Sequence, residues 1–350
     1  MKKILFTGGG SAGHVIPNVA LIEELLSEGG VDVCYMGTDG IEKSIMAEWK
    51  IPFYTISCPK LIRGGGFAGF KKNLRIPTDL RRAIKEAETG LKTYQPDLVF
   101  SKGGYVSLPV ILAARKLKIP CFAHESDFSA GLANRLTARK CETVFTSFPE
   151  TANTLPNGKH SGAPLRRSLF SITRAEARRQ LQIPFSATVV LIFGGGSGST
   201  AINQAVRKQL KTLTDNYYIL HVCGKGNKVE SNLKNYRQFE FIADMGALYA
   251  CADLVLSRSG AGTVFEVLAL KKPAIFVPLE GQTRGDQWEN AHYFESRGLC
   301  YILPQNQLEK LTSTIQKTLA DEELKDKLKE SNFRDGNQNI LRALKNRLKN

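Results

Sequence analysis

Long apolar runs are missing from this chain of 350 residues. No stretch approaches the roughly 20 apolar residues that a membrane-spanning helix needs. A continuous stretch of only three apolar residues, Ile4–Phe6, precedes Thr7 and a run of glycines, which is too short for the core of a secretory signal peptide. We therefore expect a cytosolic protein that meets a membrane, if at all, from its surface.

Paired cysteines are missing as well. The seven cysteines are dispersed along the chain, and none forms a Cys-x-x-Cys pair. An odd and scattered set is typical of a reducing compartment, where cysteine acts as a small core residue. No zinc knuckle, RNA-binding sheet signature or helix-turn-helix pattern occurs, which disfavours nucleic acid as a partner. No Asp-x-Asp pair stands at a strand end, so we expect chemistry without a metal ion or another cofactor.

Acidic residues are scarce relative to basic ones. The formal net charge is +15, and such a surface attracts phosphates, nucleic acid or anionic membranes. The basic residues are densest between Lys60 and Lys85, where eight of them accompany a single acid, Asp79, and apolar side chains such as Phe67 and Phe70. This stretch, residues 60–85, predicts binding to an anionic membrane surface. The alternative is a solvated helix face whose apolar residues belong to the core.

Glycine, in contrast, is concentrated in two similar places. Gly8–Ser11 and Gly194–Ser197 each follow a short apolar run and precede a predicted helix, His14–Leu26 in one case and Ala201–Leu213 in the other. A buried strand, a glycine turn and a helix start together form an anion cradle of backbone amides. Two such cradles half a chain apart predict two similar domains.

Other features support this organisation. Pro96–Gly104 resembles Ala252–Gly260, and continuous apolar strands alternate with helical patterns along the chain. Such alternation predicts α/β domains with doubly wound parallel sheets. We place the domains at residues 1–160 and 161–330, joined by a linker near Phe148–Pro164, and expect a helical tail over 331–350.

Three polar positions next to the predicted turns are candidates for chemistry. His14 stands at the mouth of the first glycine loop, as a general base or sugar ligand, or as a packing residue at a helix start. Glu125 and Asp127 follow a strand, where open α/β sheets place ligands. Either is a candidate base, and the alternative is that Ser126 or Asp127 caps a helix beginning near Gly131.

A third helix start follows Arg258–Thr263. Glu266 lies one turn inside this helix and could accept hydrogen bonds from two ribose hydroxyls. The alternative is an acid that only complements the helix dipole.

Six motifs, taken together, resemble the MurG family of peptidoglycan N-acetylglucosaminyltransferases. They are Thr7–His14, Ser101–Ser107, His124–Asp127, Gly131–Asn134, Ser257–Gly260 and Arg284–Gln287. The resemblance implies a glycosyltransferase-B fold, in which two Rossmann-like domains face a cleft. It also implies that the tail helix packs back on the N-terminal domain.

The resemblance further implies a reaction and its setting. An inverting enzyme of this family moves GlcNAc from UDP-GlcNAc to the MurNAc 4-hydroxyl of lipid I, undecaprenyl-diphospho-MurNAc-pentapeptide, and forms lipid II. Such an enzyme works at the cytoplasmic face of the cell membrane, where other cell-wall synthesis proteins are expected partners. The membrane-anchored acceptor would be met by the N-terminal domain and the stretch 60–85.

The resemblance assigns donor contacts mainly to the C-terminal domain. The expected contacts are Arg166, Gly196 and Ser197 with the diphosphate or uridine, Ile242 with uracil, Ala261, Gly262 and Thr263 with phosphate, Glu266 with ribose, and Gln287 with the GlcNAc hydroxyls. From the N-terminal domain, Ser11, Ala12, Gly13 and Asp127 would close on the sugar. Gly196 stands where this family usually has a serine.

Other functions remain open from the residues alone. Gly8-x-Gly10-x-x-Gly13 formally matches the dinucleotide fingerprint, with Asp32 or Asp39 as the ribose acid. This pattern would suit a nicotinamide-dependent oxidoreductase. A transferase for another UDP-sugar and a non-catalytic sugar-nucleotide-binding protein at the membrane are the further alternatives.

Overall fold

The computed structural model describes residues 1–60, 73–196, 198–242, 245–280, 285–333 and 336–349. The chain divides into two compact units. Unit 1 comprises Met1–Arg166 and Asp335–Asn350, and unit 2 comprises Arg167–Arg334. Each is built on a parallel sheet, as the alternating pattern predicts.

Unit 1 contains a seven-stranded sheet in the order β3-β2-β1-β4-β5-β6-β7. Its strands are β1 (Lys2–Thr7), β2 (Val31–Gly37), β3 (Phe53–Thr55), β4 (Leu98–Ser101), β5 (Cys121–Glu125), β6 (Thr143–Thr146) and β7 (Gly158–His160). Its helices include α1 (Ile16–Glu28), α2 (Ile41–Glu48), α3 (Ile76–Tyr94), α4 (Ser107–Lys116), α5 (Leu132–Thr137) and α6 (Pro149–Thr154). The carboxyl ends of the central strands therefore meet at one edge, next to the loops that carry the candidate residues.

Unit 2 contains a six-stranded sheet in the order β10-β9-β8-β11-β12-β13. Its strands are β8 (Val189–Phe193), β9 (Tyr218–Val222), β10 (Tyr236–Phe239), β11 (Leu254–Ser257), β12 (Ala274–Phe276) and β13 (Tyr301–Ile302). Its helices include α7 (Arg174–Gln180), α8 (Thr200–Lys208), α9 (Leu210–Asn216), α10 (Gly246–Cys251), α11 (Ala261–Ala269), α12 (Asp286–Glu295), α13 (Leu311–Ala320) and α14 (Glu322–Glu330). The last helix of the chain, α15 (Gly336–Lys349), belongs to unit 1.

The continuous apolar strands are buried on both faces. In β1, Ile4 and Phe6 join one core cluster, and Leu5 joins another on the opposite face of the sheet. The first cluster includes Leu344 of α15, and the second includes residues of α3 and α4 such as Leu91 and Val110. Because side chains alternate across a strand, a run without polar residues fits only a sheet that is covered on both sides.

The tail helix α15 is tied to the chain segment that leaves unit 1. Asn337 donates to the Leu165 carbonyl (2.8 Å) and accepts from the Leu165 amide (2.8 Å). Asn337 also donates to Glu24 Oε1 on α1 (2.6 Å). The Ser161 amide is bonded to the Thr146 carbonyl (3.0 Å). These bonds hold residues up to Arg166 on unit 1, so the boundary lies a few residues after the expected position of 160.

Two helix boundaries differ from the sequence-based expectation. The first glycine loop leads into a short 3₁₀ turn, Ala12–His14, and α1 begins only at Ile16 with Pro17 in its first turn, a position that suits proline. The stretch predicted as one helix over Ala201–Leu213 is two helices, because Gln209 has φ −106° and ψ 9° and ends α8. The Gln209 side chain also donates to the Leu308 carbonyl (2.9 Å) and accepts from Thr312 Oγ1 (2.8 Å).

All seven cysteines are free thiols, and six of them are buried. Cys58 is half-buried, with its Sγ 3.3 Å from the Tyr105 carbonyl oxygen. Within the described ranges, no helix is both long enough and apolar enough to cross a membrane.

Candidate functional site

The first glycine loop is closely packed by other parts of unit 1. Gly8 and Gly10 have φ values of 151° and 84°, in the region that favours glycine. The Gly10 amide donates to Glu42 Oε2 of α2 (3.3 Å), and a Cβ on Gly10 would collide with the Tyr105 ring. The sequence suggests a cradle of amides aimed at phosphate, but the Gly10 amide is directed at a buried carboxylate. Glu42 lies 32 residues from Gly10, and nothing in the local pattern points to it.

His14 ends the 3₁₀ turn that also contains Ala12 and Gly13, with Ser11 just before it. A Cβ added to Gly104 would lie 3.0 Å from His14 Cδ2. The loop after β4 therefore packs directly against the imidazole ring, and the two glycine-rich segments of unit 1 form one surface. His14 is half-buried as a residue, and its Nδ1 atom is buried.

Glu125 organises the loop that follows β5. The amide of Asp127 donates to Glu125 Oε1 (3.0 Å), and the amide of Gly131 donates to Oε2 (2.7 Å). Asn134 Nδ2 of α5 also donates to Oε2 (2.9 Å). The N-cap residue of α5 is Gly131, with no side-chain cap. The alternative in which Ser126 or Asp127 caps this helix is therefore wrong, because the buried Glu125 carboxylate satisfies the Gly131 amide instead.

Asp127 lies in the loop that Glu125 holds in place. Asp127 is half-buried as a residue, whereas Glu125 retains 4 % exposure. A Cβ on Gly103 would lie 2.9 Å from Asn134 Nδ2. Through Asn134 and Gly103, the Glu125 loop is thus packed against the same segment after β4 that contacts His14.

Lys102 is a residue whose role sequence reasoning missed. It directly follows β4, next to Glu125 on β5, and only 1 % of it is exposed. Burial lowers the pKa of its ammonium, and the charges of Glu125 and then Asp127 oppose that shift. The position was visible in the sequence, since a charged residue just after an apolar strand stands at the ligand edge of the sheet.

His124 is buried at the end of β5 as well. Its Nε2 lies 3.1 Å from the Gly162 carbonyl oxygen, which can only accept, so Nε2 carries the proton. Burial, together with the nearby Lys102 charge, holds the pKa of His124 well below its usual range. This histidine is therefore a neutral structural link between β5 and the segment that leaves unit 1.

In unit 2, the second glycine loop and the start of α11 meet at the carboxyl edge of the sheet. Phe193 of β8 is in register with Ser257 of β11. A Cβ added to Gly195, Gly196, Gly260 or Gly262 would meet nothing within 4 Å. Unlike the first loop, these glycines leave open space in front of the backbone, as an amide cradle for a ligand requires.

Arg258 joins the two parts of this edge. Its guanidinium donates to Ser199 Oγ (2.9 Å), which precedes α8, and to the carbonyls of Val277 (3.1 Å) and Pro278 (3.0 Å) after β12. It also donates to Gln305 Oε1 (2.5 Å). A planar fork with several donors fixes several acceptors at once, so Arg258 holds the loops of three strands in a defined arrangement.

Glu266 and Gln287 lie beside the start of α11. Glu266 is half-buried, and Tyr249 Oη donates to its Oε2 (3.1 Å). The Gln287 carbonyl accepts from Ser259 Oγ (2.8 Å), and its side-chain Oε1 accepts from the Leu279 amide (3.0 Å). Ala261, Gly262 and Thr263 form the first turn of α11, so five expected donor-site residues share one neighbourhood.

Three other residues that were expected to bind the donor are not among those at the start of α11. Ile242 is half-buried and follows β10, the edge strand of the sheet in unit 2. Arg166 is the last residue of the first segment of unit 1, although the sequence suggests that it belongs with the donor domain. Ser197 lies outside the described residues, as do residues 61–72 of the stretch 60–85 and Arg284 of the last motif.

Across the described ranges, no group of three or more His, Cys, Asp or Glu side chains could hold a metal ion.

Comparison with known proteins settles the family. Residues 4–146 match the glycosyltransferase family 28 N-terminal domain, and residues 189–343 match its C-terminal domain. A protein of Clostridium perfringens strain SM101 is 39 % identical, over 98 % of both chains, and is named UDP-N-acetylglucosamine--N-acetylmuramyl-(pentapeptide) pyrophosphoryl-undecaprenol N-acetylglucosamine transferase. The chain belongs to the MurG family of glycosyltransferases.

Two further comparisons support the assignment to the MurG family. A protein of Lachnoclostridium phytofermentans with the same name is 43 % identical, over 88 % of this chain and 87 % of its own. The crystal structure of Acinetobacter baumannii MurG matches with a TM-score of 0.76 and 27 % identity, over 99 % of this chain and all of that one. The predicted glycosyltransferase-B fold and the MurG resemblance are thereby confirmed.

Proposed function

We propose that this enzyme transfers GlcNAc from UDP-GlcNAc to the 4-hydroxyl of the MurNAc residue in undecaprenyl-diphospho-MurNAc-pentapeptide, with inversion at the sugar carbon. The observation that carries the proposal is the near-full-length identity with transferases named for this donor and acceptor. The product is the GlcNAc–MurNAc lipid used in peptidoglycan synthesis, and the other product is UDP.

Unit 2 has the features that a UDP-sugar site needs. Open glycine backbone at the second loop and at the start of α11 leaves amides for the diphosphate, and a helix start stabilises negative charge. Such preorganised donors act most strongly where charge develops on the departing UDP. In this proposal Glu266 accepts hydrogen bonds from the ribose and Gln287 contacts the sugar. Their positions on α11 and beside its start support these roles.

Unit 1 supplies the candidates for taking the proton of the acceptor hydroxyl. His14, Glu125 and Asp127 are the three groups that the sequence suggests. The carboxylate of Glu125 already accepts three hydrogen bonds from its own loop and from α5. We therefore assign Glu125 to loop positioning, and His14 or Asp127 to proton transfer, a role that is typically worth about 10²–10⁴-fold in rate.

We also propose that the stretch 60–85 binds the anionic face of the cell membrane on the cytoplasmic side. Its described part supports this. Arg75, Arg81 and Lys85 are exposed, and Leu74 is 63 % exposed next to the start of α3. The buried residues of α3 begin at Ala83 and continue to Tyr94, so the exposed basic residues around the start of the helix are left for another surface.

The test is turnover with a soluble analogue of the lipid-linked acceptor. With UDP-GlcNAc we expect release of UDP and a disaccharide product, and we expect thermal stabilisation by UDP-GlcNAc but none by NAD(H). Stabilisation by NAD(H) would favour the oxidoreductase alternative instead. Turnover with a different UDP-sugar, or donor binding without turnover, would point to the other two alternatives and contradict the proposal.

A further inference from the structure

Glu42 is a fully buried acid to which the reaction described above assigns no part. It lies in the first turn of α2, and none of it is exposed. Removing a carboxylate from water costs free energy unless donors compensate it. Its Oε1 accepts from the Thr38 amide (2.9 Å) and hydroxyl, and its Oε2 accepts from the Gly10 amide (3.3 Å). One carboxylate thus joins the loop after β2 to the first glycine loop.

The glycines around Glu42 leave the space that its side chain occupies. A Cβ on Gly9 would lie 2.5 Å from Glu42 Oε1, and a Cβ on Gly37 would lie 2.8 Å from Glu42 Cγ. Neither glycine has a positive φ, so the backbone at both positions is compatible with other residues. The Glu42 side chain is what excludes a Cβ there. Two segments of unit 1, after β1 and at the end of β2, are therefore shaped around this carboxylate.

Gly10 is enclosed on a second side by Tyr105, because a Cβ on Gly10 would collide with the Tyr105 ring. The Gly10 amide is bonded to a carboxylate, and hydrogen bonds with a charged acceptor are stronger than those between neutral groups. The 3₁₀ turn Ala12–His14 follows directly along the chain. The position of His14 therefore depends on how Gly10 is fixed.

We propose that Glu42 is a positioning residue: through the Gly10 amide, its carboxylate fixes the first glycine loop and holds the turn that carries His14 in the geometry that transfer to the acceptor needs. This inference rests on the proposed function, since it gives the loop a part in that reaction. A misplacement of about 1 Å at a reacting group can cost about 100-fold in rate, so the bond to the loop is enough to affect turnover.

Two substitutions remove the loop bond for different reasons. Glu42→Gln keeps the length of the side chain, and its oxygen can still accept from both donors of Thr38. Its amide nitrogen then faces the Gly10 amide, from which it cannot accept. Glu42→Asp keeps the charge but is one methylene shorter, so it cannot reach Thr38 and Gly10 together. If one variant fails to fold, the other still provides the test.

We expect kcat with UDP-GlcNAc and a soluble acceptor analogue to fall about 10- to 100-fold in each Glu42 variant. UDP-GlcNAc affinity, measured by calorimetry, should stay close to that of the parent, because the proposed donor contacts lie mainly in unit 2. A kcat equal to that of the parent in a folded Glu42 variant would overturn the proposal.

The matched control is Glu24→Gln in the same unit. Glu24 of α1 retains 8 % exposure, and its Oε1 accepts from Asn337 of α15 (2.6 Å). This substitution also removes a buried charge and should lower the melting temperature, but kcat per folded molecule should stay at the parent value. If Glu24→Gln loses kcat as Glu42→Gln does, the effect is one of general stability and the positioning role is wrong.

A double variant tests whether Glu42 acts through the turn. In a His14→Ala background, Glu42→Gln should cause little further loss of kcat, because the group that it positions is gone. If the two losses instead multiply in full, Glu42 acts independently of His14, which contradicts the proposal.

Hydrogen exchange followed by mass spectrometry needs no turnover and separates this inference from the proposed function. The peptide that contains the first glycine loop should exchange roughly tenfold faster in both Glu42 variants, because a bond that protects the loop is lost, and at the parent rate in Glu24→Gln. If the acceptor analogue is not turned over, the proposed function fails while the exchange still tests the role of Glu42. Parent-like exchange in Glu42→Gln refutes that role even in an active enzyme.

Discussion

At the scale of single residues, Glu266 is the side chain whose removal best tests the donor site. Losing a charged hydrogen bond to the ribose should cost about 1.5–3 kcal/mol of UDP-GlcNAc binding energy, which weakens the affinity roughly 10- to 150-fold. Calorimetric titration of Glu266→Ala measures this directly.

Tyr249→Phe is the matched control for Glu266. It removes the phenol that donates to the carboxylate (3.1 Å) but leaves the carboxylate itself, so donor affinity should stay close to that of the parent. Unchanged UDP-GlcNAc affinity in folded Glu266→Ala would exclude Glu266 from the donor site.

His14 is the residue at which turnover and binding should separate. If it contributes to proton transfer or contacts the acceptor, His14→Ala lowers kcat far more than donor affinity, as expected for interactions made in the transition state. His160→Ala, which removes an exposed histidine of β7, controls for the loss of an imidazole elsewhere in unit 1. A lower melting temperature with normal turnover per folded molecule would make His14 a packing residue.

At the scale of elements, β9 and α8 are linked by a buried histidine. His221 Nε2 lies 3.0 Å from Asn203 Oδ1 of α8, and Nδ1 lies 2.8 Å from Tyr236 Oη of β10. Burial, helped by the charge of Arg207, lowers the pKa of His221 to about 4. The neutral ring accepts from the tyrosine and donates to the asparagine, and protonation would remove the acceptor.

This link predicts a loss of stability in acid. The unfolded chain binds a proton at His221 near pH 6.5, whereas the folded chain does so only near pH 4. The contribution is therefore complete above about pH 6.5, declines as the pH falls, and amounts to roughly 2 kcal/mol of lost unfolding free energy at pH 5. His221→Gln should lack this loss.

The measurement uses Trp288, which lies on α12 of unit 2. In a Trp49→Phe background, its fluorescence reports urea unfolding of unit 2 at pH 7 and pH 5. The exposed His292 of the same helix provides the control, since His292→Gln should keep the parent's pH dependence. An identical loss between pH 7 and 5 in His221→Gln and the parent would contradict the assignment.

Elements also show where sequence reasoning succeeds and where it stops. The strands and their carboxyl-end loops could be predicted, because continuous apolar runs and glycine turns are local signals. The contact of Glu42 with Gly10 could not, since it joins segments 32 residues apart. Likewise, the position of Glu125 at a strand end predicts a residue of the ligand site. It does not predict that the Glu125 oxygens accept hydrogen bonds from amides of its own loop. The break at Gln209 follows from its backbone geometry, and the side-chain bonds to Leu308 and Thr312 join segments too distant for the sequence to indicate.

At the scale of the whole molecule, the strongly positive surface predicts salt-sensitive binding to anionic vesicles. Changing Arg75, Arg81 and Lys85 to Gln should weaken binding to phosphatidylserine-containing vesicles by about 3 kcal/mol in total at low salt, and added salt should weaken the parent's binding. Turnover of a soluble acceptor should be retained.

A matched triple variant in unit 2 controls for net charge. Lys225, Lys228 and Lys234 are exposed, and changing them to Gln removes the same charge from a different surface. Vesicle sedimentation should then resemble the parent. If both triple variants lose binding equally, the attraction is a general property of a chain with a net charge of +15, and the stretch 60–85 has no special part in it.

The seven free thiols should react slowly with alkylating reagents in the folded state. Burial raises the pKa of the half-buried Cys58 to about 12 and that of the buried Cys34 and Cys141 to about 12, so almost no thiolate exists at neutral pH. An alkylating reagent should therefore label the native enzyme slowly, at Cys58 first, and all seven positions once the chain opens. Mass spectrometry of the labelled protein then gives the fraction of molecules that have unfolded. The six buried cysteines are divided between the two units, so the order in which they are labelled reports which unit unfolds first.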